Sequence, residues 1–380
     1  MLQLLTIAGA RPQFIKYAAV SRALRNFSAN KITDKLLHTG QHYDDLMSEV
    51  FFRELNIKKP DYHLETGSST PATQTARILE GTENILLQLK PDAVLVFGDT
   101  NSTLAGTLAA VKLRIPVIHI EAGLRSFRKE MPEEINRVLT DHSSTLLCCP
   151  TRLAMDNLHN EGFKSGTGKA QLNKPATVLT GDVMYDLFLE QCAQELPSNP
   201  AYATLKSGNP YLLVTLHRAG NTDETETFTN LLEGIMLTTE KLQMPAYIPM
   251  HPRTMNAINL LEENSTVLRF LKHPRILLAA PASYPVFLRL LQDCTMVMTD
   301  AGGVQKEAFF SRKSCVILRE ETEWVELTDA GYAELAGSQP DKIAAEAERM
   351  IRVSISTQAS LYGDGNAAKH ICREIEYHFG

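Results

Sequence analysis

Short apolar runs recur along the chain, each followed by a glycine or a polar break. LQLLTIA (2–8), AVLVF (93–97), PVIHI (116–120) and TLLCC (145–149) lack polar alternation. They predict strands buried on both faces. Between them, QFIKYAAVSRALRNF (13–27) and STLAGTLAAVKL (102–113) repeat their apolar positions at a helical period. Strands alternating with helices predict a parallel sheet covered on both faces. The pattern breaks at EGFKSGTGKAQLNKPA (161–176), rich in Gly and Lys and poor in apolar residues, which reads as a linker. It then resumes with TVLTG (177–181), YLLVTL (211–216), AYIPM (246–250), RILLAA (275–280), TMVMT (295–299) and SCVILR (314–319).

The expectation is an α/β protein of two Rossmann-like domains, 1–168 and 169–364, facing across a cleft. The helical segment 365–380 is expected to pack back on the first. A length of 380 residues agrees with two cores rather than one. Ligands of open parallel sheets bind beyond the carboxyl ends of the strands, so the residues just after each strand carry the interest.

Composition narrows the function. A net charge of -6 gives no support for nucleic-acid binding. The N-terminal apolar run is short, unpreceded by a basic residue and interrupted by Arg11, unlike a signal peptide. No stretch approaches the roughly 20 apolar residues of a membrane span. The six cysteines form no CxxC pair and read as buried free thiols of a cytoplasmic protein. His38 and His42 lie on no helical pattern, and no metal site is expected there.

The strand ends hold a consistent set of polar residues. The first strand runs into GARPQFIK, where Arg11 and Lys16 bracket a helix start. Two cations at a helix N-terminus suit phosphate, although surface positions explain them as well. GDTNST places Asp99 at a strand end, as a helix cap, a functional carboxylate or both. In HIEAGLRSFRKEMPEEINR (119–137), Glu121 follows directly on a strand, and Pro132 opens a helix with Glu133 and Glu134 in its first turn. The helix dipole alone would favour those acids, and Glu133 has Arg137 one turn on as a possible partner. Gly123 supplies a turn between Glu121 and that helix. In the second half, His217-Arg218 and His251-Pro252-Arg253 follow strands. Gly302 and Gly303 let a ligand approach a helix start, and Glu307 one turn later suits vicinal hydroxyls such as those of ribose. The set points to a nucleotide-linked substrate with proton transfer at its other end.

GARPQFIK, TGQH (39–42), GDTNST, HIEAGLR, PEEINR, VTLHR (214–218), HPR and TDAGGVQKEA occur in this order over nearly the whole chain. In this the chain resembles the non-hydrolysing UDP-N-acetylglucosamine 2-epimerases. The resemblance implies a GT-B-like architecture, a UDP-sugar substrate, no cofactor and a homodimer. It assigns Arg11, Lys16 and His217 to the diphosphate or the adjoining sugar. Asp99, Glu121 and Glu133, with His217, become the catalytic set. The backbone at Ala301, Gly302 and Gly303 is assigned to the phosphates, Glu307 to the ribose and Phe287 to the uracil. The implied reaction removes the C2 proton and UDP together, giving a 2-acetamidoglucal, and adds UDP back with C2 reprotonated on the other face. A base, a proton donor and a cationic clamp are what this requires.

Departures from the family pattern refine the expectation. Ala301 stands where Ser is common, which removes a side-chain phosphate contact. Tyr43-Asp44-Asp45 replaces Arg-Glu-Met in a region that binds a second UDP-GlcNAc in the family. Gln41, His42 and His251 remain candidates for that second site, but strong activation is not expected. ETEWVE (321–326) resembles the branch acting on UDP-2,3-diacetamido-2,3-dideoxyglucuronate, with Arg319 a candidate cation for its C6 carboxylate. A hydrolysing epimerase releasing UDP and ManNAc, a glycosyltransferase and an inactive sugar-nucleotide binder are the other readings.

Overall fold

The computed structural model describes residues 1–41, 52, 57–67, 69–164, 168–205, 208–356 and 360–380. The chain forms two compact units, one of Met1–Leu189 and Ser360–Gly380, the other of Glu190–Ala359.

The first unit is built on seven strands: β1 (Leu2–Ala8), β2 (Ile32–His38), β3 (Tyr62–His63), β4 (Ala93–Phe97), β5 (Val117–Ile120), β6 (Leu146–Cys149) and β7 (Ala176–Leu179). Their order is β3-β2-β1-β4-β5-β6-β7, and every pairing is parallel. The second unit has β8 (Leu212–Thr215), β9 (Ala246–Pro249), β10 (Ile276–Ala279), β11 (Met296–Thr299), β12 (Cys315–Ile317) and β13 (Ala333–Leu335), ordered β10-β9-β8-β11-β12-β13. Each sheet therefore grows outward from its first strand and then restarts on the other side of it. That reversal lies between β1 and β4 in one unit and between β8 and β11 in the other. Crevices at such reversals are where doubly wound sheets take ligands.

The apolar runs are buried on both faces, as their lack of alternation requires: β4, β5, β6, β8 and β11 have no exposed residue. Leu4, Leu36, Leu95, Phe97 and Ile118 pack in one core with Ile371, Cys372 and Ile375 of the C-terminal helix Ala367–Phe379. Asp186 caps that helix, accepting from Ala367 N at 2.9 Å and Ala368 N at 2.8 Å. All six cysteines are free, and all but Cys192 are buried. Among the described residues, no helix is long and apolar enough to cross a membrane.

The domain boundary expected at 168 needs correction. β7 pairs with β6, so the first unit continues to Leu189. The Gly- and Lys-rich stretch is a connection inside that unit, fastened to its C-terminal helix. Ala170 N donates to His378 Nδ1 at 2.8 Å, and Lys169 Nζ to the Gly380 carbonyl at 2.9 Å.

Candidate active site

At the reversal point of the first unit, β1 and β4 deliver Gly9 and Gly98. A side chain on Gly9 would strike the hydroxyls of Thr39 and Ser102, which would have to move to admit it. Gln13, buried in the helix Arg11–Phe27, ties the two loops together. Its Oε1 accepts from Gly9 N at 2.8 Å and Ala10 N at 3.1 Å, and its Nε2 donates to the Phe97 carbonyl at 2.9 Å. Lys16, one turn further along that helix, forms an ion pair with Glu121 at the end of β5. Each side chain of this pair is 12% exposed. Gly98 lies against them: a Cβ there would sit 3.1 Å from Glu121 Oε2 and 3.5 Å from Lys16 Nζ. Glu121 and the residue preceding Asp99 thus share one corner. Arg11 is exposed at the first position of its helix.

The backbone that carries Glu121 is strained. Its φ is 74°, a region uncommon for residues with a Cβ. The Cys148 carbonyl accepts from both Glu121 N and Ala122 N at 3.1 Å, which holds the turn. Gly123 follows with φ 83°, and any Cβ there would collide with the Ala154 carbonyl.

Beneath this turn lies a buried ionic network. His119 Nδ1 is 2.6 Å from Asp141 Oδ1, and its Nε2 is 2.8 Å from the Gly98 carbonyl. Asp141 also accepts from Gly123 N at 3.0 Å and Arg125 Nη1 at 2.6 Å. Burial would push the Asp141 carboxyl up, but His119 and Arg125 outweigh it and hold it below the usual range. Arg125 in turn grips Glu161 with Nε at 2.6 Å and Nη2 at 2.7 Å. One network therefore pins the loops that carry both Asp99 and Glu121.

Asp99 is held from the helix Pro132–Ser143. Arg137 Nη2 lies 2.7 Å and Nε 3.0 Å from Asp99 Oδ2, and Arg137 Nη1 donates to Glu134 at 2.8 Å. The partner anticipated for Glu133 is thus taken by Asp99 and Glu134. Glu133 itself is exposed on the first turn of this helix. Glu134 is buried and accepts from Ser126 N, Ser126 Oγ and Phe127 N, each at 2.9 Å. These contacts overcome the effect of burial and hold its carboxyl low. Gln41 Oε1 accepts from Ser102 N at 3.0 Å and Ser102 Oγ at 2.6 Å. His42 and Tyr43-Asp44-Asp45 lie outside the described residues.

In the second unit, β8 and β11 meet the same topological condition. Asp300, at the end of β11 and 1% exposed, accepts from His217 N at 3.0 Å, Arg218 N at 2.9 Å and Asn221 Nδ2 at 3.2 Å. It fixes the turn that presents His217. The His217 ring stacks on His251, with centroids 4.9 Å apart and planes at 28°. Burial first, then the adjoining His217 and Arg253, draw the His251 imidazole below its ordinary range. Gly302 begins the helix Gly302–Phe310, whose first-turn amides lie ahead of its internal ladder. A Cβ on Gly303 would meet nothing within 4 Å, whereas one on Gly302 would lie 3.3 Å from Trp324 Nε1. Ala301 N donates to Thr299 Oγ1 at 3.0 Å. Glu307 accepts from Tyr284 Oη at 2.9 Å, and burial pushes its carboxyl up to about 7. Phe287 is half-buried in the helix Tyr284–Asp293. Arg319 is buried, with Nη1 at 3.0 Å from Glu323 Oε2, so its charge already has a partner.

The sequence model for UDP-N-acetylglucosamine 2-epimerases matches residues 25–376. The chain belongs to that family. It is 44% identical to the UDP-2,3-diacetamido-2,3-dideoxy-D-glucuronate 2-epimerase of Pseudomonas aeruginosa, over 98% of this chain and 99% of that one. It superposes on the Methanocaldococcus jannaschii UDP-GlcNAc 2-epimerase, solved with UDP-GlcNAc and UDP, at a TM-score of 0.79 and 37% identity. That match covers 99% of this chain and 100% of the other. MurG of Acinetobacter baumannii matches at a TM-score of 0.58 and 14% identity over 99% of both chains, a likeness of fold alone that marks the architecture as GT-B-like.

Several residues of this family member escaped the sequence reading: Gln13, His119, Asp141, Arg125, Asn136 and Asp300, while Arg137 was read only as a partner for Glu133. His119 and Asp300 did leave a signal, a polar residue within or directly ending an apolar strand. Asp141 and Arg125 left none, because each resembles an ordinary surface charge until its partner is known.

Proposed function

We propose that the protein is a non-hydrolysing 2-epimerase that interconverts UDP-N-acetylglucosamine and UDP-N-acetylmannosamine. The observation that carries this reading is the Lys16–Glu121 ion pair packed against Gly98, next to Asp99. It supplies two carboxylates and a cation at one strand-end corner, the groups that proton transfer beside a departing diphosphate requires. Lys16 can trade Glu121 for the diphosphate, so that charge gathering on the leaving UDP draws the cation while the carboxylate is released to handle the proton. Glu133 is the third acid/base candidate, and Arg11 and His217 contact the diphosphate. Asp300 holds the His217 turn, the amides at Gly302 and Gly303, following Ala301, bind phosphate, Glu307 takes the ribose hydroxyls and Phe287 the uracil. The enzyme acts in the cytoplasm as a homodimer, in line with its unpaired cysteines and with what the family resemblance implies. Gln41 and His251 are the described remnants of a second nucleotide-sugar site, and Gln41 already spends its side-chain oxygen on Ser102.

The test is Glu121→Gln and Asp99→Asn assayed for epimerisation and, by calorimetry, for UDP binding. Each should lower turnover by about 100-fold or more while UDP affinity stays within about threefold. Near-normal turnover in either variant removes that residue from the mechanism.

The P. aeruginosa relative favours a second reading, the same chemistry on UDP-2,3-diacetamido-2,3-dideoxyglucuronate. Arg319, the cation for a C6 carboxylate under that reading, already faces Glu323, and the pair would have to open. Arg319→Ala should then reduce kcat/KM for the glucuronate at least tenfold more than for UDP-GlcNAc, on the order of one charged hydrogen bond. Equal losses would leave Arg319 as a structural residue only.

A further inference from the structure

We propose that Asn136 and Arg137 form a two-point clamp that positions Asp99 for its work on the sugar, an inference that rests on the acid/base reading of Asp99. Asn136 takes the backbone of Asp99: its Nδ2 donates to the Asp99 carbonyl at 2.9 Å and reaches Asn101 Oδ1 at 3.3 Å. Arg137 takes the side chain, with Nη2 at 2.7 Å and Nε at 3.0 Å from the same oxygen, Oδ2. Two neighbouring residues of one helix therefore fix both the chain and the carboxylate.

The clamp is itself fixed. Arg137 Nη1 lies 2.8 Å from Glu134 Oε2, and Glu134 accepts from Ser126 and Phe127, so the guanidinium is held from both sides. Its rotamer freedom is spent on folding rather than on each turnover. Exposure grades outward: the side chains of Glu134, Arg137 and Asp99 are 4%, 9% and 31% exposed. Both of these Arg137 contacts fall on the same carboxylate oxygen, Oδ2. Oδ1 takes no part in these two contacts.

The experiment is a double-mutant cycle on the full chain, with Arg137→Gln and Asp99→Asn alone and together, plus Arg137→Lys. Turnover is read from deuterium incorporation at C2 of UDP-GlcNAc, which registers reactions too slow for a steady-state assay. Arg137→Gln should lower kcat by about 100-fold with KM and UDP affinity within about twofold, and Arg137→Lys should recover about tenfold of that loss. In the Asp99→Asn background, Arg137→Gln should cost nothing further, because the clamp then has no carboxylate to position. A kcat for Arg137→Gln within about threefold of wild type overturns the clamp, as does a loss that persists undiminished in the Asp99→Asn background. If Arg137→Gln does not fold, Asn136→Ala asks the same question, with a drop in kcat of about tenfold expected and an unchanged kcat contradicting the proposal. Near-normal turnover of Asp99→Asn is a different failure, since it removes the reading of Asp99 on which the clamp rests.

Discussion

Under the proposed assignment, individual side chains divide into those that meet the substrate and those that aim them, and Glu307 offers the most direct test. Its carboxyl is pushed up to about 7 by burial, with Tyr284 donating to it. Ribose hydroxyls need the ionised form as acceptor, so affinity should rise with pH up to this value and level off above it. UDP-GlcNAc is the suitable probe, because its diphosphate has no group titrating in that range. Its Kd, measured by calorimetry from pH 5.5 to 8.5, should tighten by up to about tenfold per pH unit below 7, and Glu307→Gln should flatten the profile. A flat wild-type profile would detach Glu307 from the ribose. The stability effect has the opposite sign. A carboxyl with a raised folded-state value stabilises the fold while protonated, and that contribution is lost as pH climbs from its ordinary value towards 7. At this scale the sequence was only half legible. Glu121 and Asp99 stood out as candidates because each carboxylate lies at or just beyond the end of an apolar strand. Asp141 did not, and Arg137 was read only as a partner for Glu133, since a charged residue on an amphipathic helix looks solvated until the opposing loop is in place.

Turns and helix ends decide whether those side chains point correctly. Gly123 combines φ 83° with a backbone approach that leaves no room for a Cβ. Gly123→Ala should destabilise the protein by about 3 kcal/mol or more in urea melts, through strain and collision together. A loss below about 1 kcal/mol would mean that the loop relaxes freely. Asp300 is the corresponding element in the second unit, where it gathers His217 N, Arg218 N and Asn221 Nδ2. Asp300→Ala strands these donors and should weaken UDP binding by about tenfold or more, with a destabilisation of about 2–4 kcal/mol. Unchanged UDP affinity would separate the His217 turn from the nucleotide. Buried strands with uniform apolar runs were easy to place. β2 was missed because ITDKLLH carries charges in its middle. Asp34 there is tolerated by long-range partners, accepting from Thr6 Oγ1 at 2.6 Å and Tyr17 Oη at 2.8 Å, and no local pattern announces them.

The whole chain is two doubly wound units, and the first is closed by the far end of the sequence. Ile371, Cys372 and Ile375 are fully or almost fully buried in the core that also holds residues of β1, β2 and β4. Removing 365–380 should therefore abolish cooperative unfolding of the first unit, and hence activity, although the deleted segment contains none of the proposed catalytic residues. A truncated chain that melts cooperatively and turns over normally would contradict this packing. The alternation of strands and helices made the two-unit α/β architecture legible. Composition misled at the boundary, because a stretch rich in Gly and Lys serves as well for a connection within a unit as for a linker between units.

The central claim is proton transfer at C2 coupled to reversible loss of UDP. It is tested most directly by proton NMR of the purified protein with UDP-GlcNAc in D2O, run in parallel with its 2,3-diacetamidoglucuronate analogue. The account predicts that deuterium enters C2 as the UDP-manno isomer accumulates, with no build-up of free UDP. Intact substrate without deuterium exchange for both sugars, despite binding, would contradict it, and accumulation of UDP with free sugar would replace it with a hydrolytic reaction.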